Sequence, residues 1–567
     1  MIAQAPDIAV PPASRPAETP RATGEPATRR RVRLAVVIVT WNRRGYVTTV
    51  LEALSRQSVG PENFDVVVVD NASTDGTFDH LGERFAPDAT IQNRTDKAHE
   101  PAFGPAVRPT APGRNTLGFG SLTLVRNSAN LGGCGGFNTG FAYVAQRLDS
   151  NEHAELYPER PNYVWLVDDD IDLPPDTAAN LIAAAEADPS IGLVGSRTVD
   201  INQRDTTIET AIYFDPATGR MSDEPAPAHR LAASHAEWVK SVGGTRGKRA
   251  FHGLRDVDIV SACSLLARWD AVRKIGFWDY RYFIYCDDAD WCIRFAQAGW
   301  RVVLNLDAVV FHTPWHHKLT PVRGYYAQRN LLWLIQKITP AARLRRVTAR
   351  WMLGALKTAL LALLFRRLFH AEILRRAVDD VVTGRWGKLD DEGPKFEPLL
   401  PALESRSLLQ RAKTIAVVCN QPESVAWADE LRARITEQRK AAGRPDDLPR
   451  FQLIVRNDVA QRPETASNTP LPPLVYAPHW PSRLRRQLPL LSAPPDAVVM
   501  FDANADFPLF TGGINVHIDR RQPEKCQIET DGFGPRLAFL SRWFGTLFSM
   551  IPYLLNLRPY RSATRYG

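Results

Sequence analysis

Three carboxylates stand together at Asp168-Asp169-Asp170, directly after the apolar run Tyr163–Val167. Like charges this close repel one another unless a cation neutralises them. Alternate residues at a strand end, here Asp168 and Asp170, can reach one divalent ion, which can also bind a diphosphate. A solvated acidic turn or helix cap is the other account, since Pro174, Pro175 and Asp176 follow at once. A second acidic group is Asp287-Asp288-Ala289-Asp290. One of its members is a candidate general base, or Asp287 caps the helix that includes Trp291 and Arg294. Farther on, His312 sits at a strand end downstream of both clusters, a position suited to a metal ligand. Nearby Trp315 can stack on a sugar ring or simply pack.

These side chains need a scaffold. Leu34–Thr40 and Phe64–Asp70 are continuous apolar runs rich in β-branched residues, as in parallel strands buried on both faces. A helical stretch lies between them, around Tyr46–Gln57, which completes a βαβ unit. Both runs end on polar residues, at the edge where open parallel sheets bind ligands. Further strands are expected at Leu122–Arg126, Tyr163–Val167, Ile191–Gly195, Arg301–Leu306 and Val309–Phe311, with a helix at 176–187. Residues 86–118 read as an insertion of low order, and 200–255 as polar and irregular. The Gly-rich turn Asn130–Phe137 follows a strand and precedes a helix, as many phosphate loops do. It has neither the Walker spacing nor the dinucleotide spacing. The expected fold class is α/β: a Rossmann-like nucleotide-binding domain, then basic amphipathic helices and a second, smaller α/β domain.

Composition sets the limits. The 567 residues are 44% hydrophobic and 23% charged, which excludes a wholly disordered, collagen-like or coiled-coil chain. That length corresponds to roughly three to four domains of ~150 residues. No run of 18 or more apolar residues lacks a charge, against a polytopic membrane protein. The net charge of +8 suits an anionic partner. The positive charge lies in tails and amphipathic helices, so no nucleic-acid role is expected. The six cysteines form no Cys-x-x-Cys pair and point to a reducing compartment. With no apolar h-region at the N-terminus, the expected location is the cytoplasm or the cytoplasmic face of the inner membrane.

Five segments follow. Residues 1–30 are a Pro/Ala/Arg-rich tail expected to be disordered. Residues 31–325 form the nucleotide-binding domain. Residues 326–395 are helical and basic: no acidic residue occurs between Lys337 and His370, and seven Lys or Arg follow Pro340 there. Such a helix binds a membrane surface or is a core helix with a solvated basic face. Residues 396–530 form a small α/β domain of unassigned role, with strands at Thr414–Cys419, Phe451–Val455, Leu474–Ala477 and Ala497–Phe501. Residues 531–567 include an apolar, aromatic stretch with flanking Arg, expected to be interfacial.

Together the segments from Leu34 to Trp333 resemble the family 2 inverting glycosyltransferases of the GT-A fold. The specific features are Val39-Thr40-Trp41-Asn42-Arg43, Val69-Asp70-Asn71-Ala72-Ser73-Thr74-Asp75-Gly76-Thr77 and Tyr325-Tyr326-Ala327-Gln328-Arg329-Asn330. Within the family the Gly-rich loop, the triple Asp, the Asp-Asp-Ala-Asp run and His312-x-x-Trp315 are similar to those of bacterial galactofuranosyltransferases. Rhamnosyltransferases or other nucleotide-sugar transferases of the same family are the alternative, and a non-catalytic glycan-binding scaffold is a third reading. One departure from the galactofuranosyltransferases is Ser261-Ala262-Cys263, where they carry a Trp pair.

The resemblance implies roles. Thr40, Arg43, Asp70, Asn130 and Asp169 would hold the nucleotide sugar. Asp168, Asp170 and His312 would bind Mn²⁺ or Mg²⁺. Asp288 would be the base, with Asp287 and Trp315 at the acceptor. The implied partners are a UDP-sugar, most simply UDP-galactofuranose, and a glycan or lipid-linked glycan acceptor. Peripheral membrane contact is expected, and the oligomeric state is open.

Overall fold

The computed structural model describes residues 33–107, 115–149, 162–209, 212–242, 251–314, 320–364, 367–390, 396–406, 408, 412–420, 422–444, 448–460, 473–477, 479–501, 514–519, 522–530 and 533–562. The N-terminal tail and Trp315 lie outside the described residues.

The two β-branched runs form strands β1 (Leu34–Thr40) and β2 (Phe64–Asp70), joined through the helix Arg44–Leu54. They are followed by β3 (Ala89–Asn93), β4 (Ser121–Asn127), β5 (Tyr163–Asp168) and β6 (Ile191–Asp200). Three short strands come next: β7 (Thr207–Glu209), β8 (Tyr213–Asp215) and β9 (Arg220–Ser222). The series closes with β10 (Leu254–Asp256), β11 (Ser264–Arg268) and β12 (Arg301–His312). Among the described residues ten of these make one sheet in the order β10-β12-β6-β11-β5-β1-β2-β4-β3, with β7 on β6, while β8 and β9 pair in a separate two-stranded sheet.

Strand β1 pairs parallel with β2 and β5, and β12 pairs parallel with β6. Strand β11 runs antiparallel to both β5 and β6, so β5 and β6 point the same way. The carboxyl ends of β1, β2, β5 and β12 therefore share one edge. Thr40, Asp70, Asp168 and His312 are the last residues of those four strands. Large apolar side chains fill both faces, among them Trp165, Leu181 and Leu266 on one side and Phe141, Trp291 and Phe295 on the other.

Three elements differ from expectation. The 86–118 stretch contains β3, an edge strand with only Ala89, Ile91 and Asn93 buried, too short an alternation to stand out. The two strands expected at 301–311 are one, bent by a register shift between Asn305 and Val309. The stretch 200–255 carries the helix Ala232–Ser241, which buries only Trp238.

Helices Pro321–Ile338, Ala341–Leu364 and Leu368–Thr383 pack together, joined by the C-terminal helix Phe533–Leu555. Helix Ala341–Leu364 buries Leu344, Val347, Met352, Ala355, Leu356 and Ala359, and exposes Arg343, Arg345, Arg346, Arg350 and Lys357. It is long and apolar enough to cross a membrane, but 44% of its most apolar window is buried within the protein. Its buried residues pack against the neighbouring helices, while Leu353 and Leu364 are exposed.

A second, seven-stranded sheet comprises β13 (Glu397–Pro398), β14 (Thr414–Cys419), β15 (Arg450–Arg456), β16 (Leu474–Tyr476), β17 (Ala497–Phe501), β18 (Ile514–Asp519) and β19 (Gln522–Thr530). Its order is β13-β19-β18-β17-β14-β15-β16, parallel from β16 to β18. Strands β18 and β19 escaped the sequence reading because they bury polar residues, Asn515, His517, Gln527 and Glu529.

Candidate active site

The acidic strand end and the distant histidine meet. His312 Nε2 lies 3.1 Å from Asp170 Oδ1 and 3.9 Å from Asp168 Oδ2. One ligand atom from each of the three residues lies within 4.8 Å of the others. Two backbone hydrogen bonds exchanged by Asp172 and Phe311, at 2.9 and 3.0 Å, bring the turn after β5 to the end of β12. Two carboxylates and an imidazole are a donor set that suits Mn²⁺ or Mg²⁺, the nitrogen favouring Mn²⁺.

Arg43, expected at the nucleotide, points its guanidinium at the same acidic turn. Its NH1 is 3.0 Å from Asp169 Oδ1 and 2.6 Å from Asp170 Oδ2. Burial works against the Arg43 charge, but Asp169 and Asp170 outweigh it and raise its pKa. Burial lifts the Asp169 carboxyl to about 6, with Arg43 opposing and Asp170 adding to the rise. The Thr40 hydroxyl stands beside Asp169 and favours its ionised form.

Asp70 is buried at the end of β2, 1% exposed. The Ser73 N–H donates to its Oδ2 at 3.2 Å, and Arg126 Nε lies 3.8 Å away. Its other oxygen, Oδ1, is buried with no hydrogen-bond partner among the described residues. Burial raises the Asp70 pKa, and the Ser73 contacts and Arg126 hold it down. An unpaired buried carboxylate oxygen costs free energy unless something donates to it, and a nucleoside N–H or O–H would.

The Gly-rich turn is used for close packing. Asn130 Oδ1 accepts from the Gly132 N–H at 2.9 Å, so its side chain shapes the loop. Gly132 has φ +73°, and a Cβ there would fall 2.2 Å from the Phe283 carbonyl oxygen. At Gly136 and Gly140 a Cβ would strike Val39 and Val37, so these glycines let the helix Gly132–Asp149 settle on β1. Asn71 ties the loop to β2, its Nδ2 donating to the Gly132 carbonyl at 2.8 Å.

Asp287 and Asp288 open the helix Asp287–Gln297 rather than capping it. Acidic residues are favoured in a first turn, where the helix dipole is positive. Asp288 accepts from the Ala289 N–H at 2.7 Å and, across the edge of the sheet, from the Ala262 N–H at 3.3 Å. Burial raises the Asp288 carboxyl to about 6, those two N–H groups opposing and Asp168 adding to the rise. The Asp168 N–H donates to the carbonyl of Cys263 at 3.0 Å, so the Ala262–Cys263 segment joins Asp288 to the acidic turn. Burial and the neighbouring Asp288 push the Asp287 carboxyl well above its ordinary range.

The turn leading into this helix is strained. Phe283, Tyr285 and Cys286 all have φ between +62° and +70°, a left-handed region that disfavours side-chain-bearing residues. The motif Tyr325–Asn330 holds it there. Asn330 Nδ2 donates to the carbonyls of Tyr282, Ile284 and Tyr285 at 3.0, 2.7 and 3.0 Å. Arg329 NH2 donates to the Tyr282 carbonyl at 3.1 Å, and its NH1 to that of Gly387 at 2.9 Å. Sequence reasoning found this motif but gave it no task. Beneath the helix, Lys337 Nζ bridges Asp279 Oδ2 at 2.6 Å and Asp290 Oδ1 at 2.8 Å. Asp290, grouped by sequence with Asp287 and Asp288, thus belongs to a buried ion network with Lys337, Asp279 and Arg294.

The mixed α/β fold, with its parallel-rich sheet and acidic edge, belongs to a chain similar in sequence to glycosyltransferases. The glycosyl transferase family 2 model matches residues 35–92, which span β1 through most of β3. It is 28% identical over 289 residues to the N-acetylglucosaminyl-diphospho-decaprenol L-rhamnosyltransferase of Mycobacterium tuberculosis, covering 50% of this chain and 76% of that protein. It is 23% identical over 222 residues to galactofuranosyltransferase GlfT2 of the same species, covering 38% of this chain but only 32% of the relative. The mannosyltransferase PcManGT from Pyrobaculum calidifontis, solved in complex with GDP-Man and Mn²⁺, aligns with a TM-score of 0.34 and 16% identity. That alignment covers 67% of this chain and 81% of the other, and at this score it carries no argument.

Proposed function

We propose that this enzyme is an inverting, metal-dependent transferase that moves galactofuranose from UDP-galactofuranose onto a cell-wall or polysaccharide glycan. The observation that carries the reading is the convergence of Asp168, Asp170 and His312 within 4.8 Å, with Asp288 joined to that turn through Ala262 and Cys263. On this reading residues 31–325 are the catalytic domain, while 396–530 have no assigned task.

Each residue has a role. Asp70 offers its unpaired Oδ1 to the nucleoside, and Thr40, Arg43, Asn130 and Asp169 shape the donor side. A Mn²⁺ or Mg²⁺ held by Asp168, Asp170 and His312 would supply charge stabilisation for the leaving diphosphate. Asp288 takes the proton of the acceptor hydroxyl as its oxygen attacks the anomeric carbon. The bond from that carbon to the diphosphate oxygen breaks in line, so one displacement inverts the centre and needs only one base. Asp287 hydrogen-bonds to the acceptor, the partner to which the resemblance also assigns Trp315. The acceptor we propose is lipid-linked, presented at the cytoplasmic face of the inner membrane.

A second reading, transfer of rhamnose from dTDP-rhamnose, is favoured by the 28% identity to a rhamnosyltransferase. Incubating the protein with Mn²⁺ and a panel of nucleotide sugars separates the two. Turnover of UDP-galactofuranose supports the first and turnover of dTDP-rhamnose alone supports the second. No turnover of any donor contradicts both.

A further inference from the structure

The C-terminal helix Phe533–Leu555 is apolar on both sides, yet protein covers only one of them. Its inner side buries Phe539, Thr546 and Met550 against the neighbouring helices. Trp543 Nε1 donates to the Leu356 carbonyl at 3.0 Å, and Arg375 NH1 to Thr546 Oγ1 at 2.7 Å, which fixes the helix's rotation. Its outer side presents Phe533, Leu537, Phe544, Phe548, Ile551 and Leu555, each 50–83% exposed. They recur at intervals of three, four or seven residues and so form one stripe along the helix. Helices apolar all round are ordinarily buried, and a contiguous exposed apolar patch marks a contact surface.

Charge decides what covers it. No Asp or Glu occurs after Asp531, whereas Arg536, Arg542, Arg558, Arg561 and Arg565 do. Arg558 and Arg561, just past the helix, are exposed. The matching segment of a second copy, which has no acidic residue after Asp531, would offer these arginines no partner of opposite charge. Anionic lipid headgroups complement them, and the stripe fits the acyl boundary below.

We infer that this outer face docks on the surface of an anionic lipid bilayer, with the helix lying in the interface plane. The chain just beyond the helix connects that face to the catalytic machinery. Tyr560 packs edge-on against Trp333, with ring centroids 4.5 Å apart. Arg281 NH2 donates to the Arg561 carbonyl at 2.7 Å, and Ser562 Oγ donates to Asp290 Oδ1 at 2.9 Å. Asp290 stands on the same helix as Asp287 and Asp288. Docking therefore sets the height of that helix over the lipid. In this link to catalysis the inference rests on the proposed transferase reading.

The test is sedimentation of the full chain with vesicles at low salt. Phosphatidylcholine vesicles containing phosphatidylglycerol are compared with phosphatidylcholine alone. The wild type should bind the anionic vesicles and bind the neutral ones far more weakly. The double variant F544S/F548S removes two large apolar anchors and should lower vesicle affinity roughly tenfold or more. Its circular dichroism and its donor turnover in free solution should be unchanged. R558E, which leaves the helix untouched, should weaken binding to the anionic vesicles alone. Wild-type protein that ignores anionic vesicles would overturn the inference. So would equal binding by F544S/F548S, or a wild-type dimer that this variant dissolves without any vesicle binding. Vesicle binding with no donor turnover would support docking and count against the transferase reading.

Discussion

His312 Nε2 stands 3.1 Å from Asp170 Oδ1 although 142 positions separate them in the chain. Nothing local brings them together. The parallel pairing of β6 with β12, and of β1 with β5, sets the two strand ends on one edge, and the Asp172–Phe311 hydrogen bonds close the gap.

Metal affinity should depend on this pair. Titration calorimetry with Mn²⁺ is expected to show one site in the wild type and none in Asp170→Ala. His312→Ala should bind weakly, since two carboxylates remain. Undiminished Mn²⁺ affinity in Asp170→Ala would exclude the cluster as the site.

The base should be separable from donor binding. Asp288→Asn keeps the shape of the side chain and both N–H neighbours within reach, but removes its basicity. We expect kcat to fall ~10²–10⁴-fold, with UDP affinity in a fluorescence titration little changed. A near-normal kcat would move the assignment to Asp287.

The pH profile follows from the same residue. A general base works only when ionised, and burial raises the Asp288 carboxyl to about 6. Activity should therefore be lost as pH falls through about 6. A cation beside Asp168 removes part of the repulsion that raises this value, so saturating Mn²⁺ should move the limb downward, not upward. A limb on the alkaline side of neutrality would assign the base elsewhere.

Asn330 should matter although it stands outside the acidic cluster. Asn330→Ala removes the Nδ2 donor from the carbonyls of Tyr282, Ile284 and Tyr285, and of these the Tyr282 carbonyl keeps Arg329. The expected cost is roughly 2–4 kcal/mol in urea unfolding. Release of the left-handed turn should also lower kcat while Mn²⁺ and UDP affinity persist. If kcat and stability are both unaffected, the turn is held by other contacts.

Much of this was legible in the sequence, for physical reasons. Strands β1, β2, β14 and β17 are β-branched runs buried on both faces, and their limits coincide with those read from the residues alone. The edge strand β3 and the polar-lined β18 and β19 were not legible, because their pattern depends on partners distant in sequence. The acidic triplet, Asp288 and His312 stood out by residue type. Their convergence did not, since it is made by strand order. The Arg43 contact with Asp169 and Asp170, and the grip of Asn330 on the turn, are equally products of the fold.

Release of UDP from UDP-galactofuranose, followed with a saccharide acceptor present, tests the central claim most directly. Wild type is compared with Asp170→Ala, each in Mn²⁺ and in excess EDTA. Turnover should appear in the wild type with Mn²⁺ and vanish in the other three arms. Full turnover in EDTA, or in Asp170→Ala, would contradict the account.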